Sequence, residues 1–164
     1  MAATIIDGGG NDSVVVFNNS DTSTLEGFTV QNGNANNGGG ISLINNSSST
    51  IKGNIIKNNT AQGLGGGIDI YNSSPTIIDK TIGNVNQAPP RGRNCISTSS
   101  PAITGNIIKE NNGTTTGGGI FVHIDGFITP TSNPTINFNT ICGNNPNQIN
   151  PNTYSNNTIS DVCD

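Results

Sequence analysis

Tryptophan is absent from this chain, tyrosine occurs twice, and aromatic residues make up 4% of the whole. Charge is equally scarce: charged residues are 10%, with 6 Lys and Arg against 10 Asp and Glu, for a net charge of −4. The basic residues form no run, which argues against a nucleic-acid partner. No apolar stretch approaches the roughly 18 residues of a membrane-spanning helix, and no signal-peptide pattern is present. The 3 cysteines, Cys95, Cys142 and Cys163, are an odd number and so exclude a complete disulfide framework. Hydrophobic residues reach only 30%, and such a composition without periodicity would place the chain among disordered, low-complexity sequences.

A period is present, and it overrides composition. Leu25, Ile51, Ile77 and Ile103 are each 26 residues apart, and Ile136 follows 33 residues later. A second apolar series, Val30, Ile56, Ile82, Ile108 and Ile141, lies five residues further on in each unit. Asn54, Asn106 and Asn139 sit three residues after the opening apolar residue, with Phe28 and Lys80 in the same place elsewhere. Gly-Gly-Gly-Ile recurs at 38–41, 65–68 and 117–120, replaced by Arg91-Gly92-Arg93-Asn94 in the unit between. A fixed repeat of this length signals a stacked array.

The apolar runs are short, β-branched, alternating, and bounded by Gly and Asn, which is the chemistry of strands. The sequence therefore predicts an all-β fold, a right-handed parallel β-helix (a solenoid) of about six coils, about 30 Å long at a coil spacing of about 4.8 Å. One domain over 1–164 is expected, with an irregular first coil at 1–23, regular coils at 24–145 and a C-terminal cap or tail at 146–164. The extra residues of the long unit fall near 123–133, around Asp125 and Phe127. Two inward columns are expected: Val15, Ile41, Ile68, Asn94 and Ile120, and Phe17, Leu43, Ile70, Ile96 and Val122. The column of Asn54, Asn106 and Asn139 reads as an asparagine ladder at a bend, each Asn taking the left-handed backbone the bend needs. The glycine triplets are expected to turn the chain with positive φ. Cys142 and Cys163 are placed to staple the tail onto the last coil.

Thr4-Ile5-Ile6-Asp7-Gly8-Gly9-Gly10, Leu25-Glu26-Gly27-Phe28-Thr29-Val30-Gln31-Asn32-Gly33, Gly38-Gly39-Gly40-Ile41 and Ser74-Pro75-Thr76-Ile77, together with Thr140 to Ile149, resemble bacterial right-handed parallel β-helix repeat proteins of the pectin-lyase-like superfamily. The resemblance spans nearly the whole chain and implies the fold. For function it implies only a range, from lyases, hydrolases and epimerases to adhesins and surface modules. Lyases of that kind gather several acidic residues on one sheet to hold calcium, and hydrolases use paired Asp with His. This sequence has no Asp-Asp pair and spreads its acids singly over the coils.

One face collects what chemistry there is. Strand alternation puts Val16, Ser42, Asp69, Cys95 and Phe121 in one outward column and Asn18, Ile44, Tyr71, Ser97 and His123 in the next. Arg93, Arg91 and Asp125 flank them. In a ligand-binding patch, Arg91 and Arg93 clamp a carboxylate or sulfate, Tyr71 and Phe121 stack on a sugar, and Asp125 lies alongside. In a catalytic patch His123 is the acid or base, oriented by Asp69. As plain surface the same groups amount to an exposed Asp69–Arg93 ion pair. The Thr24, Thr50, Thr76 and Thr135 column, interrupted by Ala102, reads as strand packing. His123 with Cys142 and Cys163 fits no common zinc spacing, so no metal and no cofactor are expected.

The leading reading is a non-catalytic secreted or cell-surface solenoid, a structural or adhesive module that binds polysaccharide. The alternatives are a polysaccharide lyase or epimerase acting at Arg93 and His123, and an assembly module forming homo-oligomers through an uncapped end or a flat sheet face.

Overall fold

The computed structural model describes residues 4–79, 81–83, 94–97, 99–112, 120–122, 134–145, 149–150 and 158–160. Within them every regular element is a short β-strand, and the strands of each sheet pair in parallel with the coil before and the coil after. One complete coil shows the route. The strand Thr50–Lys52 joins a five-stranded sheet, here sheet D. A corner leads to Ile55–Lys57 in the seven-stranded sheet A. Thr60–Ala61 pairs with Asn34–Ala35 as a small two-stranded sheet B. Ile68–Tyr71 then enters the six-stranded sheet C, and a second corner of Asn and Ser returns the chain to sheet D at Thr76–Ile78.

Parallel pairing in register keeps each repeat position in one column. Sheet D stacks Leu25, Ile51, Ile77, Ile103 and Ile136. Sheet A stacks Val30, Ile56, Ile82, Ile108 and Ile141. Sheet C stacks Phe17, Leu43, Ile70 and Ile96, beside Val15, Ile41 and Ile68. These residues form one continuous core, with Val15 and Leu25 partly buried against it. In the coil just traced, Ile51, Ile56, Ile68 and Ile70 are all 2% exposed or less. At about 1.5–3 kcal/mol for each buried aliphatic, one coil gains about 6–12 kcal/mol before conformational entropy is subtracted. That gain exists only in the stack, where the coils above and below cover each aliphatic.

The corners hold the polar half of the design. Between sheets D and A, the left-handed residue of each coil is Gly27, Gly53, Asp79, Gly105 or Phe138, with φ between 53° and 79°. After sheet A the same conformation falls on Asn32, Asn58, Glu110 and Gly143. The ladder asparagines themselves are not left-handed, which corrects the sequence expectation. The preceding residue makes the turn, and the Asn side chain is then tucked beneath it. Asn54 accepts from the Phe28 amide at 3.0 Å and donates to the carbonyls of Leu25 and Lys52 at 2.8 and 2.9 Å. Asn139 likewise accepts from the Asn106 amide and donates to Ile103 and Asn137.

A second ladder, absent from the sequence reading, occupies the other corner. Asn59 accepts from the Gly33 amide and donates to Val30. Asn111 donates through its backbone and side chain to Asn144 Oδ1 at 3.0 and 2.9 Å, and Asn144 donates to Ile108. All five asparagines of these contacts and those above that sit at the ladder positions 54, 59, 106, 111 and 139 are 1% exposed or less. Each therefore satisfies backbone groups that the bend would otherwise strand in the interior.

Candidate functional site

Sheet C and the turns at its two ends form the most chemically varied surface of the described residues. The glycine triplets lead into it, and their three positions do different work. Gly38 and Gly65 are left-handed, with φ of 63° and 62°. Gly39 and Gly40 are needed for space: a Cβ on Gly39 would collide with the Thr60 carbonyl, and one on Gly40 would lie 2.5 Å from the Gly67 carbonyl oxygen. In the two described triplets, 38–40 and 65–67, positive φ is thus confined to the first glycine, narrower than the sequence reading had it.

This turn has a consequence for the outward column of Ser42, Asp69, Cys95 and Phe121, whose register is as the repeat implies. Gly38 and Gly65 fold back over it. A Cβ on Gly65 would sit 2.6 Å from Asp69 Cβ, and one on Gly38 would sit 2.8 Å from Ser42 Cβ. Ser42 is 8% exposed and Asp69 is 4% exposed. Asp69 is therefore roofed rather than solvated. Its carboxyl has no hydrogen-bond or ion partner among the described residues, and burial pushes it up to about 7. It stays largely protonated in mildly acidic solution, which does not suit an anionic partner for an arginine.

Tyr71 ends the same strand and is 53% exposed. It stacks in register with Ile44 and Ser97. Of the other residues that the sequence places in this patch, Phe121 lies on the strand Ile120–Val122 with its backbone paired to Cys95. Arg91, Arg93, His123 and Asp125 lie outside the described residues.

Beyond Tyr71 the chain turns toward sheet D through Asn45-Asn46-Ser47-Ser48-Ser49 and Asn72-Ser73-Ser74. Here a buried serine column replaces asparagine. The Ser47 amide donates to Ser73 Oγ at 3.1 Å and the Ser73 amide to Ser99 Oγ at 3.0 Å. Outside that column lies an open cleft of about 170 Å³ lined by Asn46, Ser48, Asn72, Ser73 and Ser74. Asn46 and Asn72 are left-handed, with φ of 65° and 47°, and the Asn46 amide donates to the Asn72 carbonyl at 2.6 Å.

The outer face of sheet A carries a pattern that the sequence reading missed and the pairing register brings out. Ile5, Thr29, Ile55, Thr81, Ile107 and Thr140 form one column, alternating isoleucine and threonine strand by strand. Ile5, Ile55 and Ile107 are 56%, 39% and 44% exposed. The sequence signal was available in the residue just before each core aliphatic of this sheet, but it alternates with a period of two coils. The neighbouring sheet D presents Thr24, Thr50, Thr76, Ala102 and Thr135 and an exposed Lys52–Glu26 ion pair at 3.0 Å.

Cys142 is buried and disulfide-bonded; Cys163, its expected partner, lies outside the described residues. No three metal-ligating side chains come together among the described residues. No helix there is long and apolar enough to cross a membrane.

Parallel sheets stacked around an aliphatic core and closed by polar ladders at the corners define a β-solenoid. The chain belongs to the right-handed β-helix family: the family model described as "Right handed beta helix region" matches residues 3–163. This supplies the handedness of the coil and is consistent with the pectin-lyase-like resemblance of the sequence. No curated protein and no solved structure matches the chain.

Proposed function

We infer that the chain is a non-catalytic structural and adhesive module of a secreted or cell-surface protein, and that its ligand is carbohydrate. The observation that carries this reading is Tyr71, an exposed aromatic ring in a chain with few of them, next to a corner rich in amides and hydroxyls. An aromatic face flanked by neutral hydrogen-bonding groups suits a sugar, which has one apolar side and a polar rim. The disulfide at Cys142 supports an oxidising compartment. Binding of the chain to an array of neutral and acidic glycans tests the reading. Saturable binding that falls at least tenfold in Tyr71→Ala is the expected result, and an array without a single saturable signal contradicts it.

A second reading, self-association, is favoured by the alternating column of sheet A. Isoleucine knobs separated by threonine hollows are self-complementary when two copies face each other one strand out of step. In this reading Ile55→Lys with Ile107→Lys abolishes any dimer seen by sedimentation. A native chain that stays monomeric up to millimolar concentration removes it.

A further inference from the structure

The geometry points to the corner cleft between sheets C and D as a subsite for an uncharged sugar. This deepens the carbohydrate reading above and rests on it, while adding where the ligand sits and what charge it carries.

The argument begins with which polar groups are already committed. The inward serines are: Ser47 Oγ donates to the Asp21 carbonyl and meets Ser49 Oγ at 3.1 Å, and Ser73 Oγ accepts from the Ser47 amide. The outward groups are different. The Asn46, Asn72 and Ser48 side chains are exposed and make no hydrogen bond among the described residues. Ser74 Oγ accepts from the Ser100 amide at 3.3 Å and keeps its own proton to donate. The cleft therefore presents two carboxamides and two hydroxyls, each with unused hydrogen-bonding capacity.

Their placement is fixed by the solenoid rather than by a flexible loop. The left-handed backbone at Asn46 and Asn72 is locked by the 2.6 Å bond from the Asn46 amide to the Asn72 carbonyl, by the Ser74 amide donating to the Ser47 carbonyl and by the Ser48 amide donating to the Asp21 carbonyl. Equivalent groups on successive coils repeat at about 4.8 Å, close to the length of one hexose unit in a polymer. A carboxamide offers a donor and an acceptor side by side, which matches a pair of neighbouring sugar hydroxyls. Tyr71 directly precedes Asn72 and supplies an apolar surface at the edge.

Charge decides the sugar class. The described residues that line the cleft, Asn46, Ser48, Asn72, Ser73 and Ser74, carry no charge. Asp21, on the preceding coil beside Ser48, has its carboxylate engaged by the Ser23 amide at 2.7 Å. A uronic acid or sulfated sugar would find no cation among the described residues here, and its charge would be desolvated without compensation from them. A neutral hexose loses nothing by that absence.

The test uses the native chain and Asn46→Gly/Asn72→Gly. Glycine retains the positive φ of both positions while deleting both carboxamides, so the backbone is not strained by the change. Calorimetric titrations are made with cellohexaose, mannohexaose, maltohexaose and hexagalacturonate, and thermal melts check that the variant is folded. The expected result is saturable binding of at least one neutral hexaose, weakened tenfold or more in the variant, with hexagalacturonate failing to compete. Neutral binding that the folded variant retains overturns the cleft but leaves the carbohydrate reading intact, as does binding of hexagalacturonate alone. No binding to any of the four, together with a blank glycan array, overturns both.

Discussion

Among the described residues, Asp69 sits in the environment that departs furthest from its chemistry. The glycine turn covers it, no described group bonds to it, and burial raises its carboxyl from 3.8 to about 7. The sign of the effect on stability follows from linkage. The unfolded chain releases this proton near pH 4 and the folded chain holds it to about 7, so the folded state binds more protons between those values. The contribution of Asp69 is therefore complete below pH 4, declines as pH rises to 7, and is flat above. Its total is on the order of 4 kcal/mol. Asp69→Asn keeps the shape and cannot ionise. Denaturant unfolding at pH 4.5 and pH 8 should show the native chain losing stability relative to Asp69→Asn over that interval. Parallel pH profiles for the two proteins would contradict the buried placement. Outward direction was legible in the sequence from strand alternation, but burial was not. It depends on the turn folding back across the strand, which no repeat count reveals.

At the scale of elements, the corner is the unit that makes a coil stackable. A left-handed residue turns the chain, and the following Asn satisfies the backbone of its own coil and of its neighbour. Asn54→Ala removes the acceptor for the Phe28 amide and the donor to Leu25 and Lys52. Leaving those groups buried and unpaired costs about 2–3 kcal/mol in unfolding free energy. The complementary change is an addition. Asn106 Oδ1 is buried with no partner among the described residues, and the repeat places Lys80, which lies outside them, in the column one coil before it. Lys80→Asn should continue the ladder toward Asn106 and raise stability by about 1 kcal/mol. A melting temperature unchanged or lowered by Lys80→Asn would count against the ladder as the organising device. The first ladder could be read from the recurrence of Asn three residues after each core aliphatic. The second, at Asn59, Asn111 and Asn144, has the same regularity five residues later. It was hidden because Asn is so common in this chain that one more recurrence carries little weight until hydrogen bonds are seen.

For the whole molecule, the periodic aliphatics were enough to specify the stack. Parallel pairing leaves little freedom once Ile51, Ile77 and Ile103 must share a column. The surface was less legible, because its features come from residues on different coils. The alternating Ile and Thr face of sheet A and the cleft shared by Asn46 and Asn72 exist only after the coils are in register. Of the patch that the sequence assembled around Arg93 and His123, the described residues retain Tyr71 as its exposed member and Asp69 as a buried one.

The proposed carbohydrate site lies at the end of sheet C rather than on the other faces of the solenoid. Titration of the isotopically labelled chain with the tightest-binding neutral hexaose, followed at the amide resonances, locates it. Binding there shifts resonances concentrated at 44–48 and 70–74 and leaves sheets A and D unmoved. Shifts centred on Ile55 and Ile107, or on the Thr24, Thr50 and Thr76 column, would contradict it.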